Sequence, residues 1–407
     1  MLTRPEMRRA SSLYFAIGLM QASYLPFAGI IFRDRGVSFE AIGLIGAVNS
    51  MVSLGAAPIW GHLGDAVLGR AAAFRAALLL AAVGVALFAV GPFAGIPGAA
   101  IAAFAGAGLV PLLDSIGMEQ LAKVGGQWGP LRAITSFSYA AMCVVSGSLV
   151  AIGGAVVIGP MYGATALAVV AGTIGLHTRP ALRHATRPTP SDAEAEIERT
   201  EIAGTNAEIA VVGDWRDRFG TVNLAFQQSP GLFSFLMLSL LINLGAGIFY
   251  AYGSFRIQEV GGNAAAVAFG GTISALVEIP FFLAGGAIAA RLGLRTLFVL
   301  GLLAMGACSV GYAVIDTPSA LAIVRSLVGI GFACTLLASV LSVRDLVPAA
   351  LQATGQALYQ SVSYGLAIAI AALIGGIIYG ELGAAPLFFL SAAIMFGAIP
   401  IAWRVLR

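Results

Sequence analysis

The sequence predicts an all-α membrane protein of twelve transmembrane helices, arranged as two pseudo-symmetric six-helix bundles. Three observations carry that expectation. Of 407 residues, 59% are hydrophobic and only 10% are charged, whereas a soluble domain carries roughly 25% charged residues. That leaves too little polar surface for a soluble enzyme, a nucleic-acid binder or a disordered scaffold. The 59% amounts to about 240 apolar residues, the number that twelve spans of about 20 residues require. The basic residues then segregate to one side of the implied membrane, and two segments repeat at nearly one spacing.

The elements follow in order. The basic start MLTRPEMRRA precedes an apolar run from Leu13 to Phe32 that is too long for a signal-peptide core, so it reads as the first span. Apolar runs separated by polar or Gly/Pro breaks place the spans near 11–33, 39–62, 71–92, 98–118, 130–152, 156–177, 231–254, 263–290, 295–315, 318–343, 353–379 and 384–404. The one long polar stretch, 178–230, holds six arginines and eight acids and reads as a cytoplasmic linker. It divides an N-terminal bundle (1–177) from a C-terminal bundle (231–407). Its tail has the pattern of an interfacial helix, with Trp215, Phe219, Val222 and Phe226 toward lipid. Cys143, Cys308 and Cys334 lie far apart in apolar runs, with no metal-ligand spacing.

Orientation follows from the positive-inside rule. With both termini in the cytoplasm, 17 of the 22 Lys and Arg residues fall on cytoplasmic segments. Arg33, Arg35 and Arg256 fall outside, and Arg132 and Arg325 within spans. The expected location is a bacterial inner membrane.

The halves repeat. GHLGDAVLGR (61–70) matches GAIAARLGLR (286–295) at a spacing of 225, and GAGLVPLLDS from Gly106 meets GIGFACTLLAS from Gly329 at 223. Secondary transporters are commonly built from such repeats, with a substrate site at mid-membrane between them. Six plus six spans, a long central loop and G-x-L-x-D…G-R after span two resemble the major facilitator superfamily. The loop motif has one extra residue between Asp65 and Gly69, and its second copy has Ala290 where an acid stands in the first. The resemblance implies that Asp65, Arg70 and Arg75, with Arg291 and Arg295 in the second copy, are gating residues. Ordinary positive-inside charge is the alternative.

Four charged residues fall deep in spans: Asp114, Arg132, Glu278 and Arg325. Each costs about 2.5–3.5 kcal/mol on insertion scales, so pairing or a wet cavity is expected. If the hairpin between spans four and five turns at Lys123, Asp114 and Arg132 lie nine residues to either side, about 13 Å deep. Tyr139 follows Arg132 by two helical turns. An acid, an arginine and an aromatic ring facing one cavity suit a polyol; a hairpin staple is the alternative.

This constellation resembles the lactose, nucleoside and phenylpropionate permeases of the superfamily, as do the aromatics and proline of span one. In the lactose permease an acid on span four, an arginine on span five and a tryptophan seven residues later bind the galactoside. Asp114, Arg132 and Tyr139 match those positions, with Asp and Tyr in place of Glu and Trp. Glu278, in LVEIPFF, is similar to a glutamate of the phenylpropionate branch. The departures concern proton coupling: Val328 and Gly331 stand at the span-ten histidine and glutamate, Cys308 near the span-nine arginine and Tyr364 at the span-eleven lysine. Asn243 is the nearest match to the span-seven acids.

Glu278, close to mid-membrane and without a base nearby on its own span, is the expected proton carrier, with Asp114 and Arg325 as further candidates. Arg325 lies about 12 Å shallower. Tyr14, Gln21, Tyr24 and Asn49 in the first half, and Asn243, Tyr250, Gln356, Gln360 and Tyr364 in the second, are candidates to line a cavity. Gln356, Gln360 and Ser363 share a helical face. No phosphate loop occurs.

The expected activity is proton-coupled symport of a small hydroxylated solute, sugar or nucleoside first, by alternating access. Uptake of an aromatic or organic acid, efflux of amphipathic compounds and a membrane sensor are the alternatives. The partners expected are the solute and the lipid bilayer, with no nucleic acid, metal or cofactor beyond the proton gradient, and a monomer.

Overall fold

The computed structural model describes residues 5–124, 129–174, 215–348 and 351–406, and every element among them is helical. The first half comprises α1 (Pro5–Tyr24), α2 (Ala28–Asp34), α3 (Phe39–His62), α4 (Arg70–Val90), α5 (Pro92–Val124), α6 (Gly129–Gly153) and α7 (Ile158–Gly172). The second comprises α8 (Trp215–Gln228), α9 (Pro230–Glu259), α10 (Ala264–Val314), α11 (Pro318–Val324), α12 (Ser326–Leu346), α13 (Gln352–Gln360), α14 (Ala367–Leu382) and α15 (Ala384–Val405). Most of the expected linker, 178–214, lies outside the described residues. Its tail forms α8, where Phe226 packs on Phe233 at 6.4 Å between ring centroids.

Among the described residues, ten segments are long and apolar enough to cross a bilayer. Two of them, Gly129–Gly172 with 44 residues and Ala264–Val314 with 51, exceed twice the roughly 20 residues of one crossing. Each is broken inside. Gly154 (φ +66°) opens a 3₁₀ turn over Gly154–Val157, and Gly293 (φ +78°) interrupts α10. The expected first span is also two helices, because Pro26 falls between α1 and α2 and has no N–H to continue the ladder.

One sequence expectation is corrected here. Helix α5 runs through Lys123 to Val124, because MEQLAK consists of strong helix formers. The next helix, α6, begins at Gly129, so Arg132 lies in its first turn rather than deep within it; residues 125–128 lie outside the described residues.

The internal repeat has a backbone signature. The six described residues with φ between +66° and +90° are all glycines: Gly36, Gly69, Gly154, Gly261, Gly293 and Gly383. They pair as Gly36/Gly261, Gly69/Gly293 and Gly154/Gly383, at spacings of 225, 224 and 229. Gly69 (φ +83°, ψ +147°) and Gly293 (φ +78°, ψ +155°) share one conformation.

Helix ends repeat as well. Arg35 donates from Nη1 to the Phe88 carbonyl and from Nη2 to the Ala89 carbonyl, each at 2.7 Å. Arg256 donates to the carbonyls of Tyr312 and Ile315 at 3.2 Å and pairs with Asp316 at 2.5 Å. Each arginine covers open carbonyls at a helix C-terminus, where a cation is also favoured by the helix dipole. Arg35 and Arg256, expected as outer-loop charges, are helix caps. Replacing Arg256 by Met keeps the stem but removes bonds to a charged donor, costing about 2–3 kcal/mol. The melting midpoint in detergent falls; an unchanged midpoint would contradict the capping role.

Helix α1 packs on both α5 and α6, α6 packs on the first part of α10, and α3 packs on α14. The last two contacts join the halves. At the face away from the chain termini, here the distal face, Phe39 of α3 lies 5.3 Å from Phe255 and 4.5 Å from Tyr379. The Arg33 guanidinium covers Phe39 at 4.3 Å. An added Cβ at Gly376 would lie 2.6 Å from the Phe39 carbonyl oxygen and 3.1 Å from Gly43 Cα, so backbones touch there. Gly376 and Gly380 both sit at close contacts, whereas Gly163 faces open space.

Candidate functional site

The deep charges lie on α5, on α10 and at the break between α11 and α12, with partners on α1 and α6. Asp114, three residues after Pro111 in α5, accepts a hydrogen bond at Oδ1 from the Tyr14 hydroxyl of α1. Tyr14 is fully buried, its ring lies over Gly117, and its carbonyl accepts from Thr135 of α6 at 3.2 Å. The carboxylate is thus held on the first half by a residue whose backbone is tied to α6.

Glu278, the fifteenth residue of α10, reaches the first half: Ser136 donates to its Oε2 at 3.0 Å. Ser136 lies one turn after Arg132, and the Arg132 guanidinium stands within electrostatic reach of Glu278. Two residues on, Pro280 lacks the N–H that would bond Leu276. Sequence reasoning missed Ser136, although its i+4 spacing from Arg132 was a signal for a shared face.

Tyr139 lies by Cys143, within electrostatic reach of both Arg325 and Glu278. It approaches Gly271 of α10 at 3.8 Å from an added Cβ. Arg325 occupies the break between α11 and α12, with its guanidinium 5.6 Å from the Phe249 ring centroid. No ion pair links it to Glu278 among the described residues.

The remaining candidates divide. Asn243 bonds the Ser239 carbonyl at 2.8 Å and lines a cavity of about 20 Å³ with Ser239, Tyr250, Thr335, Tyr359 and Tyr364, room for one water. Gln356 donates to the Val340 carbonyl at 3.1 Å, bracing α13 on α12, and Gln360 is exposed. A π-helical turn over Ser361–Leu366 breaks the expected Gln356/Gln360/Ser363 stripe. Tyr24 sits edge-on to Phe88 at 5.3 Å and Tyr162 at 6.2 Å, so the structure gives it a packing position within the first half rather than a cavity wall.

Of the loop residues, Asp65 and Arg70 form an ion pair at 2.9 Å. Arg75 donates to the Thr173 carbonyl at 2.8 Å, and Arg295 to the Leu406 carbonyl at 2.7 Å while lying 5.1 Å from the Trp403 centroid. Both arginines tie one helix to the last carbonyls of another. Arg291 is exposed. Among the described residues no cluster of three metal-ligating side chains occurs.

Comparison with known proteins agrees with this architecture. The chain is 25% identical over 386 residues to the maltose permease of Geobacillus stearothermophilus, covering 92% of this chain and 89% of that one. The crystal structure of the nucleoside transporter NupG superposes with a TM-score of 0.75 at 15% identity, covering 99% of each chain. The peptide transporter POT in complex with sulfate superposes at 0.69 and 16% identity, covering 98% of this chain and 95% of that one. At those identities the two structures speak for the fold alone. These relatives are transporters and permeases, not enzymes. The model of the MFS_1 like family matches residues 8–390, and the chain belongs to that family of major facilitator transporters.

Proposed function

We propose that the protein is a secondary carrier that moves a small hydroxylated solute with protons by alternating access. The observation that carries this reading is the Ser136–Glu278 hydrogen bond between the two halves. It places an ionisable group where each half's movement alters its surroundings. Asp114, Arg132 and Tyr139 would bind the solute, and Glu278 would carry the proton. The maltose permease and NupG, named for a sugar and for nucleosides, support hydroxylated solutes as the first class to test.

The same reading counts Gly129–Gly172 and Ala264–Val314 as two crossings each, for twelve in two six-helix bundles, 1–177 and 231–407. The paired positive-φ glycines support that division. The charge asymmetry supports cytoplasmic termini, with the distal face outward from a bacterial inner membrane. On this reading Asp65, Arg70, Arg75, Arg291 and Arg295 lie on the cytoplasmic face as gating residues, and the carrier works as a monomer.

Counterflow in proteoliposomes with labelled maltose, glucose, uridine, gluconate, glucuronate and benzoate tests the class. Exchange of a hydroxylated solute is expected, and D114N or R132A reduces it to background. No exchange of any solute would sink the carrier reading in favour of a sensor. Full binding by both variants would reduce Asp114 and Arg132 to structural residues.

A further inference from the structure

Arg325 is the deep charge with no role so far beyond candidacy as a proton carrier. It lies seven residues into the segment that begins at Pro318, about 11 Å below its end by helical rise. It forms no ion pair with any described residue. Its Nη1 is buried without a hydrogen-bond partner among them, and the buried hydroxyl of Tyr312 has none other than the guanidinium it adjoins. Tyr312 is fixed: it is fully buried, with Phe249 at 4.7 Å and Phe388 at 5.4 Å between ring centroids. Gly270 leaves room for the arginine stem, since an added Cβ would lie 2.9 Å from Arg325 Cδ.

A guanidinium offers only donors. Its uncompensated charge within the membrane is costly until a counter-charge arrives, and the Phe249 face offsets that cost only in part. Two buried donors side by side, one of them charged, suit an oxyanion rather than a neutral hydroxyl. Arg325 is partly exposed as a residue, and Tyr139 of the first half is within its electrostatic reach. The guanidinium thus lies beside the contact between the halves. We propose that Arg325 Nη1 and the Tyr312 hydroxyl form the recognition point for a carboxylate on the transported solute, which makes the substrate a hydroxylated acid. This rests on the carrier reading and narrows its substrate class.

The test uses the full chain, purified in detergent at constant ionic strength. Acetate, gluconate and glucuronate raise the melting midpoint, while acetamide and glucose do not. R325K keeps a weaker response. R325Q and Y312F lose it, with apparent affinity down by about tenfold or more. No shift with any carboxylate, or an equal shift in R325Q, overturns the proposal. An Arg325-dependent shift given equally by chloride overturns the solute assignment, leaving an inorganic-anion site. Counterflow separates the two readings. If glucose exchanges and carboxylates neither stabilise nor compete, the anion site falls and the carrier stands. If carboxylates stabilise through Arg325 but no solute exchanges, the carrier falls and the anion site stands.

Discussion

Replacing Glu278 by Gln is expected to abolish pH-driven uphill accumulation while leaving counterflow exchange intact. Glutamine keeps the volume and one carbonyl oxygen to accept from Ser136, so the interface between α6 and α10 retains its hydrogen bond. What it loses is the ability to bind and release a proton. Glu278 lies about 21 Å along α10 by helical rise, close to the middle of the first crossing. Its donors, Ser136 and the charge of Arg132, belong to the other half. When the halves rock apart those donors recede, and the stability of the ionised carboxylate changes with them. A proton thus becomes linked to the conformational equilibrium, which is what coupling requires. The measurement is accumulation of labelled solute in proteoliposomes under an imposed pH gradient, beside counterflow without one. In E278Q the first falls to passive equilibration and the second persists. Undiminished accumulation removes Glu278 from the coupling role; loss of both activities makes it a binding residue instead.

The deep charges were legible because charge is scarce in this chain. Asp114, Glu278 and Arg325 stand out against apolar neighbours on arithmetic alone. Their partners were not legible. Tyr14 lies 100 residues from Asp114, and Ser136 lies 142 from Glu278, so tertiary packing selects them. The depth expected for Arg132 fails for a local reason: Lys123 is a charge inside the last turn of a helix, not a turn between helices. Tyr24 and the Gln356 stripe failed differently. A helical face can be read from spacing, but which neighbour covers that face cannot. For Gln356–Ser363 the face itself is rotated by a π-helical turn that spacing does not announce.

Most of the span boundaries were legible, because a bilayer forces apolar runs of a set length. The count of helices was blurred where helix and crossing differ: α10 holds two crossings' worth of residues, and only the backbone at Gly293 interrupts it. The repeat shows the converse. Two short echoes suggested it, and the paired glycines and the Arg35 and Arg256 caps extend it to loops with little sequence likeness. A turn needing positive φ retains glycine while its neighbours diverge.

Substituting Leu for Gly376 is expected to remove the distally closed conformation and reduce transport by more than about tenfold, the factor that about 1.4 kcal/mol of state preference represents. In this structure α3 and α14 cross at Gly43 and Gly376. An added Cβ at 376 would meet the Phe39 carbonyl oxygen at 2.6 Å, Gly43 Cα at 3.1 Å and the Tyr252 hydroxyl at 3.1 Å. Two of those three atoms are backbone, and the Tyr252 hydroxyl is held by the Ala372 carbonyl at 2.6 Å. None yields by a side-chain rotation. A leucine there is compatible only with α3 and α14 held further apart, which opens the Phe39/Phe255/Tyr379 cluster. Cys143 reports the change: it is fully buried, and its sulfur lies 3.4 Å from the Cβ position of Gly271 across the α6–α10 contact. With Cys308 and Cys334 replaced by Ser, a membrane-impermeant maleimide added on the distal side should label Cys143 in G376L and not in the parent. G376A, which adds only the Cβ, should label at an intermediate rate, so a graded response separates gate opening from misfolding. Full transport by G376L, or an unlabelled Cys143 in a folded preparation, would mean that the halves do not part along this seam.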